Sequence, residues 1–161
     1  MKIDEMMHRH CTEVWSRGRV EVVDELFHPE TINHWMPTSI GLPPGREGIK
    51  ALVRAHRQII PDLNLEIGQI VPLNDEYVVG RGVFTGTHTG GDYYGFRPSG
   101  RTLRWNVCGL FHAKNGLFVE EWSISDELEV LRRLSEGHSE VRISPDVFPT
   151  RHNSLIGEIN R

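Results

Sequence analysis

The sequence predicts an α+β fold in which helices pack on one face of a curved antiparallel sheet. Two observations lead to this prediction. Apolar residues recur every three to four positions over about the first 60 residues, and at every second position from there to about residue 125. Segments rich in glycine, proline and asparagine separate the alternating stretches, as expected for strands joined by turns.

The helical part of the sequence predicts three helices and one short strand. The three-to-four spacing over residues 4–27 is interrupted at Gly18, which predicts a first helix that ends there and a shorter second helix. The segment "TINHWM" predicts a short strand, and a loop rich in proline and glycine follows it. The segment "REGIKALVRAHRQII" predicts a third helix, which Pro61 ends because proline cannot continue the helical hydrogen bonds.

The alternating part of the sequence predicts four long strands in a meander, which completes a single domain over residues 1–136. Residues 137–161 are polar and contain two prolines, which predicts either a disordered tail or an arm that docks on a partner subunit. The four predicted strands are "LNLEIGQIVPL", "EYVVGRGVFTGTHTG", "RTLRWNVCGLFHA" and "LFVEEWSIS".

The composition restricts the class of protein. A chain of 161 residues with 38% hydrophobic and 25% charged residues is typical of one globular domain. A net charge of −4 argues against nucleic acid as the main partner, because phosphate binding requires a basic surface. The sequence has no apolar run long enough for a membrane span, and its N-terminus is too polar for a signal peptide, so we expect a cytoplasmic protein without a membrane partner.

The turn between the last two strands determines which side chains share a face of the sheet. If "KNG" is a three-residue loop, His112 and Asp126 project from the same face. If Asn115-Gly116 is a two-residue turn, they project from opposite faces. We favour the three-residue loop, because it combines apolar side chains with a few polar groups on one face, which is the composition of a small-molecule pocket.

This register assigns a role to each face of the sheet. The other face would carry an apolar row, which we expect to form a subunit interface in a homodimer or homotetramer. That row is Phe111, Val107, Trp105 and Leu103. The predicted pocket face consists of His112, Leu110, Cys108, Asn106, Phe118, Trp122, Ile124 and Asp126.

Asp126 is the candidate catalytic residue. A carboxylate among apolar neighbours has a raised pKa, and such a group can both remove and return a proton. The alternative is a structural role, because Asp126 precedes the helical segment "ELEVL" and aspartate is a favoured helix N-cap. Arg104 lies opposite Asp126 in the favoured register, and an ion pair between them would lower the pKa of the carboxyl group.

Four blocks of the sequence together resemble the SnoaL-like polyketide cyclase family, which belongs to the superfamily of cone-shaped folds that includes nuclear transport factor 2 and ketosteroid isomerase. The resemblance covers about Cys11 to Leu134, and "GTHTG" with the following "PSGR" is its most specific part. The four blocks are "EVWSRGRVEVVDELFHPETINHW", "PPGREGIKALVRAHRQIIPDL", "GVFTGTHTGGDYYGFRPSGR" and "KNGLFVEEWSISD".

The resemblance implies a hydrophobic pocket between helices and sheet and an enzyme that uses neither a metal nor an organic cofactor. By position, Asp126 looks like the acid/base residue of an intramolecular aldol ring closure, and His112 and His34 look like its companions. Hydrolysis or isomerisation on the same scaffold, and a ligand-binding module without activity, are the alternatives. The candidate substrate-pocket residues are Trp122, Trp15, Phe84, Tyr94, Asn106 and Leu110.

Overall fold

A computed structural model of the chain describes residues 1–34 and 41–136. The predicted tail over residues 137–161 and the last two residues of the "TINHWM" segment lie outside the described residues. No helix in the described part of the chain is long and apolar enough to cross a membrane.

The helices follow the predicted order. Helix α1 (Ile3–Arg9) continues into a π-helix (His10–Ser16), which ends two residues before Gly18. Helix α2 (Val22–Leu26) is short because the backbone of Phe27 is already extended. Helix α3 (Arg46–Ile59) ends before Pro61, as predicted, and helix α4 (Glu127–Ser135) follows the last strand.

The strands form one curved, unclosed five-stranded sheet. Their order is β1-β5-β4-β3-β2, with β1 parallel to β5 and the other neighbouring pairs antiparallel. The α+β prediction is therefore confirmed, with the four-strand meander and one additional edge strand from the helical region. The strands are β1 (Phe27–Asn33), β2 (Asn64–Pro72), β3 (Tyr77–Thr87), β4 (Thr102–Lys114) and β5 (Leu117–Ser125).

The predicted three-residue loop between β4 and β5 is wrong. Lys114 pairs with Leu117, so the turn consists of Asn115 and Gly116, whose φ angles are 52° and 76°. Positive φ at both central residues is the geometry of a type I′ turn, and an Asn-Gly pair adopts it readily. The register then shifts by one residue between His112 and Ala113, because β5 contains a bulge.

The assignment of the sheet faces is also wrong. The bulge restores the pairing of even-numbered residues, so Leu110 pairs with Trp122 and Cys108 with Ile124, and these side chains do share a face. That face is the outer one: Ile124 is 78% exposed, and Cys108, which we assigned to the pocket face, is also exposed. The row that we assigned to a subunit interface points toward the helices instead. Its members Leu103, Trp105 and Phe111 are buried.

The physical reason for this arrangement is that the side chains on one face of β4 have more apolar area than those on the other face. Two large aromatic rings and a leucine bury more apolar surface under the helices than Cys108 and Leu110 could, at roughly 25 cal/mol per Å². The core therefore forms between the helices and the inner row, where Trp105 stacks on Phe84 and Phe111 packs against Phe118.

Candidate active site in the inner cavity

A cavity of about 80 Å³ lies between the helices and the inner face of the sheet. This volume is several times what one water molecule requires. Most of its wall is apolar, and four aromatic residues contribute to it: Trp15, Phe84, Trp105 and Phe111. The polar groups in its wall include Glu121, Asn33, His10, His56 and Glu127.

Glu121 is the most unusual polar group in the cavity wall. Its side chain is only 5% exposed, and its carboxyl Oε1 accepts a hydrogen bond from the Asn33 amide. Burial raises the pKa of the Glu121 carboxyl group to about 8, because the apolar surroundings disfavour the charged form. The group is therefore mostly protonated at pH 7 and is a stronger base than an ordinary carboxylate when ionised.

The position of Glu121 follows from strand alternation and register. Asn33 at the end of β1 pairs with Glu121 of β5, so the two side chains project from the sheet at the same point. Side chains alternate along β5, which directs Glu121, Ser123 and Ser125 into the cavity and Glu120 to the outer face.

His10 contributes a neutral imidazole to the same wall. The residue is buried, and its Nε2 accepts a hydrogen bond of 3.0 Å from the Trp15 indole N–H. Burial lowers the pKa of His10 to about 3, so the ring stays neutral at ordinary pH. Among the described residues, no group forms a hydrogen bond with its Nδ1. An unpaired buried polar group of this kind costs about 1–3 kcal/mol of folding free energy.

The cavity wall also contains Glu127, at the start of α4. Its carboxylate Oε2 accepts hydrogen bonds from the Tyr94 hydroxyl at 2.6 Å and the Tyr93 hydroxyl at 3.3 Å. Burial and the neighbouring carboxylate raise the pKa of both phenols, so both tyrosines remain hydrogen-bond donors. His56 of α3 is held by a contact of 3.0 Å between its Nδ1 and the Leu52 carbonyl oxygen, and burial lowers its pKa.

This arrangement can carry out proton transfer. A carboxyl group with a pKa near neutrality can remove a proton from carbon and return it to oxygen, and neutral N–H groups can stabilise negative charge on a carbonyl oxygen. In the described part of the chain, no group of three or more His, Cys, Asp or Glu side chains could hold a metal ion.

Asp126 lies outside the cavity wall. It is exposed, and it is the N-cap of α4, where its Oδ1 accepts a hydrogen bond of 3.2 Å from the Glu129 backbone N–H. Asp126 forms no ion pair with Arg104, which pairs with Glu66 at 3.5 Å. Asp126 therefore occupies the N-cap position that we gave as the alternative to a catalytic role. Its role in catalysis stays a prediction.

His112 and His34 lie close together on the outer face of the sheet rather than in the cavity. Glu120 lies between them, with 2.8 Å from its Oε1 to His34 Nε2 and 3.5 Å from its Oε2 to His112 Nδ1. His34 also stacks on Trp122, and His112 stacks on Tyr77. The hydrogen bond from His34 contributes most to lowering the pKa of Glu120. The structure thus brings these two histidines together, but without Asp126.

The predicted substrate-pocket residues divide between the two faces of the sheet. Trp15 and Phe84 line the inner cavity. Tyr94 reaches the cavity wall through its hydrogen bond to Glu127. Leu110 and Trp122 line a groove on the outer face, and Asn106 is exposed on the same side. The structure thus places these last three residues on the outer face, away from the inner cavity, and their role in substrate binding stays a prediction.

The sequence analysis did not identify His10, Glu121 or Glu127 as candidate site residues, although a sequence pattern points to the first two. Met6, Met7, His10 and Val14 follow a three-to-four spacing, which places His10 on the buried face of the first helix. Glu121 has the same parity as the inward residues of β5, so the correct choice of face would have identified it. The tyrosine contacts of Glu127 connect a loop to α4, and no local pattern predicts such a contact.

The helices packed on one curved, unclosed five-stranded sheet place the protein in a class of α+β proteins, those with the nuclear transport factor 2-like fold. The SnoaL-like polyketide cyclase family matches residues 5–134, and the chain belongs to this family. No curated protein matches the chain.

Solved structures support the same fold. TsrD from Streptomyces laurentii is 26% identical, with a TM-score of 0.72 over 82% of this chain and 93% of that one. IdmH from Streptomyces antibioticus, provisionally named a polyketide cyclase, is 27% identical, with a TM-score of 0.70 over 81% and 96% of the two chains. A provisionally named polyketide cyclase from Bacillus cereus ATCC 10987 is 25% identical, with a TM-score of 0.68 over 81% and 78%.

Proposed function

We propose that the protein is an enzyme that enolises a polyketide-like carbonyl compound and closes a carbon–carbon ring, with Glu121 as its acid/base residue. The observation that carries this proposal is the buried Glu121 carboxyl group, held by Asn33 in a mostly apolar cavity. Membership of the SnoaL-like family and the names of the similar structures support the reaction class.

The proposed reaction needs one carboxyl group that changes protonation state twice. Ionised Glu121 removes a proton from the carbon next to a carbonyl, and the resulting enolate carbon attacks a second carbonyl of the same molecule. The neutral Glu121 carboxyl then returns the proton to the new alkoxide oxygen. One carbon–carbon bond forms, no atom is lost, and the residue is regenerated.

The first half of this reaction provides a direct test, because enolisation exchanges carbon-bound hydrogen with solvent. We expect the wild-type protein to accelerate exchange of the α-protons of 2-tetralone in D₂O, measured by proton NMR. Glu121→Gln keeps the shape of the side chain but not its basicity, so the acceleration should fall by about 10²-fold or more. The rate should rise with pH toward about 8, where Glu121 ionises.

Asp126→Asn is the matched control for this experiment. Asparagine is also a good N-cap, so this variant should retain the fold and an exchange rate within about threefold of the wild type. Loss of exchange in Asp126→Asn with retention in Glu121→Gln would instead support Asp126 as the acid/base residue. Absence of any acceleration, with ligand binding retained, would favour a binding module or a hydrolase.

The outer face of the sheet supports a second proposal, that two copies of this chain associate there. Trp122 and Leu110 line an open groove together with the exposed Ile124 and Cys108. A contiguous apolar patch of this kind on a sheet is typical of a surface that another protein covers. A two-fold symmetric dimer buries the same patch of both copies, so that one apolar patch suffices for the interface, and a second copy is the partner that we propose.

A further inference from the structure

The π-helix brings His10 and Trp15 onto the same side of the helix. In an α-helix, residues five positions apart point about 140° away from each other. In a π-helix, residues five apart are joined by the backbone hydrogen-bond pattern and lie nearly one turn apart. This geometry allows the Trp15 indole N–H to reach His10 Nε2 at 3.0 Å.

The contact with Trp15 fixes the tautomer of His10. An indole N–H can only donate, so His10 Nε2 must accept and cannot carry a proton. In the neutral ring the proton then lies on Nδ1. Phe27 and Phe111 pack against the ring, with centroid distances of 5.1 and 5.4 Å, and limit its reorientation.

The Nδ1–H group of His10 is thus a buried donor that no described residue uses, and His10 is one of the residues that line the cavity. Buried donors of this kind in folded proteins are usually paired, either with protein groups or with bound molecules. A ligand with an acceptor oxygen would satisfy it.

We propose that His10 binds the substrate by donating a hydrogen bond from Nδ1 to a carbonyl oxygen, and that it thereby selects uncharged carbonyl compounds. This inference rests on the proposed function, because it assigns the donor that would stabilise the enolate oxygen formed when Glu121 removes a proton. A neutral donor can stabilise that oxygen without giving up its proton.

The charges around the cavity argue for an uncharged ligand. Of the described residues that line it, Arg81 is the one lysine or arginine, and its guanidinium donates to the Gln69 side chain at 3.0 Å. Glu121 and Glu127 lie in the same wall. A ligand carboxylate would therefore be buried near acidic groups, with no counter-ion beside His10, which is unfavourable.

Two ligands of equal shape test the donor. Cyclohexanone carries a carbonyl oxygen, and methylenecyclohexane replaces that oxygen with a CH₂ group. We expect the wild-type protein to bind the ketone about tenfold more tightly, and to bind it more tightly than cyclohexanecarboxylate at pH 7. Equal affinities for the first two compounds would overturn the proposal.

NMR of protein labelled with ¹⁵N at histidine measures the contact directly. We expect Nδ1 of His10 to be protonated in the free protein, and its proton resonance to shift when cyclohexanone binds but not when methylenecyclohexane binds. His88 is the internal control, because it is fully buried and both ring nitrogens have partners, Ser99 Oγ and the Gly91 carbonyl. A proton on Nε2 of His10, or an unchanged resonance, would contradict the proposal.

Three variants separate this role from a structural one. Asparagine keeps a donor close to the position of Nδ1, so His10→Asn should retain the ketone preference, whereas His10→Leu should lose it. Trp15→Phe keeps His10 but removes the group that fixes its tautomer, and the preference should decrease. A preference that is unchanged in both His10→Leu and Trp15→Phe would overturn the role of Nδ1.

Glu121→Gln distinguishes this inference from the proposed function. The ketone-dependent shift of the His10 resonance should persist in this variant, even though proton exchange is lost. If Glu121→Gln retains α-proton exchange and the His10 resonance still shifts with the ketone, the acid/base role of Glu121 is contradicted and the donor role of His10 is not. If exchange is lost in Glu121→Gln and the His10 resonance does not shift with the ketone, the donor role of His10 is contradicted and the acid/base role of Glu121 is not.

Discussion

At the scale of single residues, Glu121 couples the stability of the protein to pH. Its carboxyl pKa rises from an ordinary value of 4.5 to about 8 in the folded state, so the folded protein holds this proton more tightly than the unfolded chain. The stabilisation from this group is complete below pH 4.5, and it is lost as the pH rises through about 8.

We therefore expect the difference in free energy of unfolding between wild type and Glu121→Gln to change with pH. Between pH 5 and pH 9, the wild type should lose on the order of a few kcal/mol relative to the variant, because the amide does not ionise. Urea denaturation at several pH values measures this difference. A difference that is independent of pH would show that Glu121 is not desolvated in the folded state.

The contribution of His10 to the free energy of unfolding depends on pH in the opposite direction. Its pKa falls from 6.5 to about 3 on folding, so its contribution is present above pH 6.5 and is lost as the pH falls toward 3. The comparison between wild type and Glu121→Gln removes this effect, because both proteins contain His10.

At the scale of elements, the β4–β5 turn and the bulge in β5 together fix the register that positions Glu121. Gly116 has a φ angle of 76°, and a Cβ atom added there would meet nothing within 4 Å. The cost of Gly116→Ala is therefore backbone strain alone, and we expect a loss of roughly 1–2 kcal/mol in the free energy of unfolding.

Chemical denaturation measures this loss, with Lys114→Ala as the control. Lys114 is exposed and keeps a negative φ angle, so its substitution should change stability by less than about 0.5 kcal/mol. Equal effects of the two substitutions would contradict the type I′ turn.

At the scale of the whole molecule, the outer face predicts self-association. Ile124→Glu places a charge in the lining of the apolar groove and should convert a dimer or larger assembly into a monomer, because an unpaired charge in an interface is costly. Sedimentation velocity measures the mass in solution.

Leu128→Glu is the matched control for this prediction. Leu128 is a comparably exposed apolar residue on α4 and does not line the groove, so its substitution should leave the mass unchanged. A monomeric wild type, or an Ile124→Glu variant with an unchanged mass, would contradict an interface on this face.

Local patterns in the sequence predict the fold class and most of the element boundaries. These depend on local physics: the three-to-four and two-residue periods, the block to helix formation at Pro61, and the turn residues between strands. The combination of blocks over residues 11–134 also pointed to the correct family.

The face of the sheet that lines the cavity depends on tertiary packing, which no local pattern reports. Beyond the bulge, a two-residue turn gives the same grouping of side chains as a three-residue loop, and only Phe118, which precedes the register shift, changes face. The local pattern therefore leaves the inner and outer faces undetermined. Packing decides between them, because the helices cover the row that buries more apolar surface. As a result, the carboxyl group buried on the cavity side is that of Glu121 and not that of Asp126. His34 and His112 lie on the opposite side of the sheet.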